Sequence, residues 1–299
     1  MNTPVILTGA GSFLGKYVLK ELDAKGIDTF AVSRKATTIL ARQGLSSRIK
    51  PVDLDLSAPE LDWSPPLNSQ YRIIHLAFDR MASGDSAHGA EINNSITRNI
   101  INLCRNANIS AIVNASSTSV YGTPKGGLIS AETAVQSPSD YGIAKLKAEQ
   151  RLAKAAEVDS VLSVRLPAIL GREAHPENWL VRIARAMQQH AEIAYQSPDF
   201  LFNNAVHGAS IGAFFIELSQ AASPQSAAFP VGAATGPTLR DLLMQMRDRL
   251  QSRSKLVVLP TTSAPFAIDN TAAESLGYKA EPIEHVIDRY LNDLTDRSL

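Results

Sequence analysis

The run VILTGAGSFLG at residues 5–15 constrains this chain more than any other: a short β-branched strand, a loop with glycines at Gly9, Gly11 and Gly15, and an amphipathic helix that follows at once. A strand that turns directly into a helix needs glycine for its backbone angles, and a phosphate can approach a helix N-terminus only where no Cβ intervenes. Parallel sheets that bind dinucleotides begin in this way. Gly9, Gly11, Ser12, Phe13, Leu14 and Gly15 are therefore candidate contacts for a pyrophosphate. Many ordinary turns carry glycines; here strand, loop and helix all fall in order.

The rest of the first half keeps the alternation. Apolar runs at 29–33, 49–54, 72–76, 111–115 and 161–165 predict strands, and amphipathic stretches at 14–24, 90–106 and 139–156 predict helices. Repeated βαβ order predicts an α/β protein with a doubly wound parallel sheet, a Rossmann domain, over residues 1–170. Beyond Gly171 the pattern loosens into helical segments at 178–189, 210–220 and 239–251 and a short strand near 256–259. This predicts a smaller C-terminal α+β substrate lobe over 171–299, with some elements returning to the first sheet.

Composition limits the partners. The 29 basic residues balance 29 acidic ones, so no net field draws the chain to nucleic acid or an anionic membrane. No apolar run reaches the roughly 18 residues of a membrane span. The single cysteine, Cys104, lies in an apolar helical pattern and has no internal disulfide partner. A cytoplasmic protein with neither nucleic-acid nor membrane partners is expected. The six histidines are scattered without metal-ligand spacing, so no metal is expected, and His75 and His207 read as structural.

Two further segments carry chemistry. The second strand ends in Ser33-Arg34-Lys35, where a site for NAD usually offers a carboxylate to the ribose. A guanidinium at Arg34 suits a 2′-phosphate, which favours NADP over NAD. In SPSDYGIAKLKAEQ, Tyr141 and Lys145 lie one helical turn apart, and an ammonium beside a phenol favours the phenolate, as a proton shuttle requires. That spacing is common; weight comes from AIVNASSTSVYG at 111–122, an apolar strand ending in hydroxyl residues where such sheets bind ligands. Ser117 is the chosen hydroxyl, with Ser116, Thr118 and Ser119 readable as turn residues.

With these segments in order, the chain resembles the extended short-chain dehydrogenase/reductases, specifically the NAD(P)-dependent nucleotide-sugar epimerase, dehydratase and reductase group. The resemblance implies that Ser12 stands at the loop's middle glycine, that Asp55 and Leu56 contact adenine with Asp53 as the alternative, and that Leu76 and Ala77 in HLAFDR border the cofactor. Asn93 sits where the family keeps an asparagine. Ser117, Tyr141 and Lys145 take the catalytic places, Lys145 also holding the ribose, and Pro167 in VRLPAILG borders the nicotinamide. The segment 268–287 matches the family's closing element.

Departures concern the substrate. Ala168 stands where epimerases often carry asparagine, and His207-Gly208-Ala209-Ser210 replaces a His-Val-Asp-Asp run. Asn203 replaces an arginine that commonly meets substrate phosphate, and Thr118 and Ser119 replace the acidic pair of the dehydratases. Thr118, Asn178, Asn203 and Asn204 are the candidate substrate contacts. The implied activity is hydride transfer between NADP(H), or NAD(H), and a nucleotide-linked sugar, as a keto-sugar reductase or dehydrogenase. Alternatives are an epimerase that retains NAD and a non-catalytic NAD(P)H sensor or scaffold. Helices 90–106 and 139–156 resemble those that pair in the family's homodimers.

Overall fold

A computed structural model describes residues 2–80, 85–155, 158–221, 226–262 and 264–295. The chain opens with β1 (Val5–Thr8), α1 (Phe13–Ala24), β2 (Thr29–Ser33), α2 (Ala36–Leu40), β3 (Ile49–Asp53) and β4 (Tyr71–His75). Next come α3 (Ser86–Asn106), β5 (Ile109–Ser117), a 3-10 turn (Thr118–Tyr121), β6 (Gly127–Ile129), α4 (Asp140–Ala153), β7 (Ser160–Leu166) and β8 (Ala168–Leu170). Then follow α5 (Trp179–Gln188), β9 (Ile193–Tyr195), β10 (Ala205–His207), α6 (Gly208–Gln220), β11 (Ala227–Pro230) and α7 (Leu239–Arg249). The last elements are β12 (Leu256–Val258), β13 (Phe266–Ile268), α8 (Thr271–Glu274) and α9 (Ile283–Thr295). All the strands expected in the first half form within a residue or two of their expected ends. The helix expected over 139–156 is described to Ala153, and residue 156 lies outside the described residues.

Two compact units result, and they interleave along the sequence. The first holds Met1–Gly122, Ser137–Arg165 and Ile211–Phe229; the second holds Thr123–Gln136, Leu166–Ser210 and Pro230–Leu299. The chain passes from the first unit to the second near the expected 170/171 boundary, and α6 and β11 return to the first, while Thr123–Gln136 joins the second. The return of α6 to the first unit has a local cause. Arg72 donates to the carbonyls of Ser219 and Ala221, and Gln220 exchanges hydrogen bonds with the backbone of Thr3, fastening the end of α6 to the lower ends of β1 and β4.

The first unit is built on a seven-stranded sheet of order β11-β7-β5-β4-β1-β2-β3. β1, β2, β3, β4 and β5 run parallel. From β1 the chain winds outward through β2 and β3, then recrosses to lay β4 on the other side of β1. The order of winding reverses between β1 and β4, and a crevice opens above their C-terminal ends, the usual ligand position in such sheets. One side of the sheet packs on the apolar stripe Ile96, Ile100, Leu103 and Cys104 of α3, joined by Ile6, Val32, Ile73, Ile112 and Val161. This is the doubly wound α/β sheet expected from the sequence.

The second unit carries three parallel two-stranded pairs, β8 with β10, β9 with β12 and β6 with β13. Of these, β12 is the short strand expected at 256–259; the others, like α9, were not legible as periodic runs. Among the described residues no helix is long and apolar enough to cross a membrane.

Gly15 shows how closely the first helix must sit. A Cβ there would run into the carbonyl oxygens of Gly9 and Ala10, which are backbone and cannot swing away. Alanine gains about 1 kcal/mol of helix propensity over glycine, whereas overpacking costs about 1–3 kcal/mol. Gly15→Ala is expected to lower stability by up to about 2 kcal/mol in urea denaturation; stability above the parent's would show that the loop yields.

Candidate active site

The loop between β1 and α1 shows why its residues stand where they do. Gly9 has φ +68° and approaches the strand exit so closely that a Cβ would lie 2.7 Å from the Ala77 nitrogen. Ser12, which stands at the resemblance's middle glycine, has extended backbone and caps α1: its Oγ accepts from the Gly15 N–H at 3.0 Å. Leu14 is buried on the inner face of α1, and Phe13 packs edge-on against Tyr17.

Above the crevice lies a cavity of about 700 Å³. Its wall includes Gly9, Gly11 and Ser12 from the loop, Ser33, Arg34 and Lys35 at the end of β2, Asp55 and Leu56 beyond β3, and Leu76, Ala77 and Phe78 beyond β4. Segments far apart in sequence, singled out for a dinucleotide, thus share one surface. The Asp55 carboxylate accepts from the Ser57 hydroxyl at 2.7 Å and its N–H at 2.9 Å, and these bonds, with Arg34 nearby, hold it below the usual carboxylate range. Asp53, the alternative, accepts instead from the Thr37 N–H at the start of α2.

At the floor of the crevice, Thr8 and His75 join β1 to β4 at 2.7 Å. The Thr8 hydroxyl already accepts from the N–H groups of Leu76 and Ala77, so its own proton points to His75 Nδ1, which must be the unprotonated ring nitrogen. The loop leaving β4 is held by Asn93, whose side chain accepts from the Asp79 N–H and donates to its carbonyl.

Ser117, Tyr141 and Lys145 meet beside these residues. Ser117 ends β5; its hydroxyl accepts from the Ser119 N–H and donates to the Ser119 hydroxyl, each at 3.1 Å. Tyr141 and Lys145 project from one face of α4, capped by Ser139. Gly142 lets this helix lie against the turn after β5, since a Cβ there would strike the Ser119 carbonyl. Lys145 is 6% exposed: its ammonium donates to the Ala115 carbonyl at 2.8 Å and lies 3.7 Å from the centre of the Phe78 ring.

Burial dominates the electrostatics. It pushes Lys145 down to about 7, assisted by Arg80 and opposed by Glu149. The four-residue spacing suggests a lysine that draws Tyr141 toward phenolate. Instead burial raises Tyr141 above its ordinary value, against smaller opposing effects of Arg80 and Ser117, because the Lys145 ammonium is directed at Ala115 and Phe78.

A second layer escaped the sequence reading. Glu149, one turn past Lys145, makes a buried two-pronged pair with Arg165 of β7 at 2.8 and 3.1 Å, and the Arg165 guanidinium lies over the buried Tyr121 ring. The continuing four-residue spacing Tyr141, Lys145, Glu149 was the signal available. Phe78 had none.

The candidate substrate contacts fare differently. Thr118, half-buried, begins the 3-10 turn after β5. In the second unit, Asn178 caps α5 and donates to the Ile169 carbonyl, and Asn204 donates to the Phe266 carbonyl. Asn203 is corrected: at 1% exposure it donates to the carbonyls of Ala233 and Ile268 and accepts from the Ile268 N–H, so its amide is consumed in holding backbone together. Pro167 precedes β8 in the same unit.

A glycine-cradled cavity thus lies at the switch point of a parallel α/β sheet, with Ser117, Tyr141 and Lys145 gathered beside it. Residues 5–202 match the NAD dependent epimerase/dehydratase family, and the chain belongs to that family. It is 29% identical over 185 residues to D-erythronate dehydrogenase of Cupriavidus necator, a match covering 58% of this chain and 57% of the relative's length. Its fold is that of UDP-glucuronic acid 4-epimerase from Bacillus cereus in complex with NAD (TM-score 0.80, 14% identity, 98% of each chain). It is also that of MoeE5 in complex with UDP-glucose and NAD (TM-score 0.75, 20% identity, 97% of this chain and 98% of the other).

His75 carries a testable consequence. Burial, with Lys145 adding to it, lowers its pKa to about 3 from 6.5, so between those values the unfolded chain takes up a proton that the folded chain refuses. Its contribution to stability is full above pH 6.5 and is lost as pH falls toward 3. His75→Leu is expected to weaken the fold at pH 7, where Thr8 loses its acceptor, yet to flatten the acid limb of denaturation midpoint against pH. An equally steep limb in the variant would assign that proton uptake elsewhere.

Proposed function

We propose that this chain is an NAD(P)-dependent oxidoreductase that reduces a ketone, or oxidises the matching alcohol, on a nucleotide-linked sugar. The observation that carries the reading is Tyr141, its pKa raised by burial, one turn from Lys145 on α4, whose start lies against the turn that follows Ser117. A dinucleotide suits the residues present: glycines clear the approach to the α1 N-terminus, and hydroxyl, cationic and apolar groups line the cavity. The nicotinamide supplies or accepts the hydride when bound.

The protein's side chains handle the proton. In reduction, Tyr141 donates its phenolic proton to the substrate oxygen, completing the alcohol, and Ser117 donates a hydrogen bond to the same oxygen as it gains negative character. Lys145, one turn along α4, would hold the ribose and stabilise the phenolate left behind. The basic Ser33-Arg34-Lys35 run, and Ala168 where epimerases often carry asparagine, support a reductase over an epimerase that retains its cofactor. Tyr141→Phe is expected to keep cofactor binding and lose at least about 100-fold in kcat, the scale of general acid catalysis. Unchanged function in that variant would support the sensor or scaffold reading, and NAD that copurifies without net absorbance change on adding nucleotide sugars would support the epimerase.

Arg34 and Lys35 on the cavity wall support a preference for NADP. Arg34→Ala is expected to reduce kcat/KM with NADPH about 10- to 100-fold and leave NADH little changed, as loss of a charge-assisted contact requires. Equal loss with both cofactors would remove the preference. A homodimer through α3 and α4, working in the cytoplasm, belongs to the same reading; a monomer mass in light scattering would overturn the dimer.

A second reading of the substrate has its own support. Similarity to D-erythronate dehydrogenase, and the Asn203 amide spent on backbone where phosphate-binding relatives carry arginine, favour a small sugar acid. Reduction of NAD(P) by a sugar acid but by no nucleotide sugar would establish it.

A further inference from the structure

Phe78 is a half-buried aromatic residue beside the cavity, stacked on a buried cation. It lies three residues past the end of β4 and forms part of the cavity wall. Its face covers the Lys145 ammonium, 3.7 Å from the ring centre, and it meets the Tyr141 ring nearly at right angles, 5.7 Å between centres. The loop that carries it is fixed by the paired hydrogen bonds between Asn93 and the Asp79 backbone. The Lys145 ammonium has a carbonyl and a π face as neighbours and is almost wholly withdrawn from water.

We propose that Phe78 is a positioning residue for the proton-transfer pair: its ring covers the Lys145 ammonium, holds it dry and aimed at Ala115 beside Tyr141, and so sets the pH range over which the pair works. The proposal rests on the proposed oxidoreductase reading for its catalytic consequence, but the cover itself is a property of the fold.

Two effects of the ring oppose each other. The π face favours the charged form, whereas exclusion of water disfavours it, and the low value at Lys145, about 7, has burial as its foremost cause. Removing the ring should therefore raise the lysine. The other groups facing Lys145 are Tyr141 and Glu149 on α4, His75 at the end of β4 and Arg80 beyond it, with Arg165 of β7 behind Glu149. Substitution at Phe78 leaves all of them in place.

The test is an NMR titration of the full chain labelled with 13C at lysine Cε, with Lys145→Met identifying the signal. In the parent the Lys145 signal is expected to titrate near 7. In Phe78→Ala it is expected at about 8 or above, a gain of roughly tenfold in proton affinity. Phe78→Gln, which brings water into the same space, should move it the same way and serves if the alanine variant does not fold. Phe78→Tyr should restore the parent value. Phe78→Leu, apolar but without a π face, should leave it at or below the parent value.

The alkaline fall of kcat/KM for ketone reduction should follow the same order. A lysine that titrates at or below the parent value in both Phe78→Ala and Phe78→Gln, or that moves as far in Phe78→Tyr as in those variants, overturns the proposal. The titration needs neither substrate nor turnover. Absence of hydride transfer would count against the oxidoreductase reading, whereas an unmoved lysine signal counts against the role of Phe78.

Discussion

The first unit depends on the close approach of two backbones where β1 ends and β4 ends. Gly9 can take its positive φ and lie against the Leu76–Ala77 peptide only without a Cβ, and Thr8 joins the two strand ends through His75 while accepting from the next two amides. The winding order reverses at this seam, so the crevice above it is a consequence of the topology. A larger residue at Gly9, or a charged ring at His75, would press on the same few atoms. Loop, crevice and the start of α1 therefore depend on one packing constraint.

Around that seam, burial governs the charges. Lys145 and Tyr141 are both pushed toward their neutral forms, in opposite directions on the pH scale. Behind them Glu149 and Arg165 remain a charged pair, satisfied by two hydrogen bonds and a ring face in a place where an unpaired charge would be costly. The pair fixes α4 against β7, and with it the height at which Tyr141 and Lys145 stand beside Ser117. The polar residues of the second unit do a different task. Asn203, Asn270 and Tyr278 all hydrogen-bond to backbone around Gly232, so asparagines that look like ligand contacts in sequence act there as internal fasteners.

Much of this was legible from residue order. Strand and helix periods place β1 to β5, β7 and the long helices, because a buried strand and an amphipathic helix leave different spacings that need no knowledge of their partners. The loop glycines were legible because their requirement is local backbone geometry. Three-residue strands such as β8, β10 and β13 were not, since so short a run has no period and exists only through the strand it pairs with.

By itself, then, the sequence determined the parallel α/β sheet, the glycine loop and the helical face shared by Tyr141 and Lys145, all products of local conformation and spacing. Only the tertiary structure decided that Ser12 caps a helix, that Asn203 is spent on backbone, that residues 211–229 rejoin the first unit, and that Tyr141 is raised where an adjacent lysine suggested it would be lowered. Those outcomes turn on which groups are dehydrated and which partner each finds. Segments distant in the chain supply both, and no local spacing encodes them.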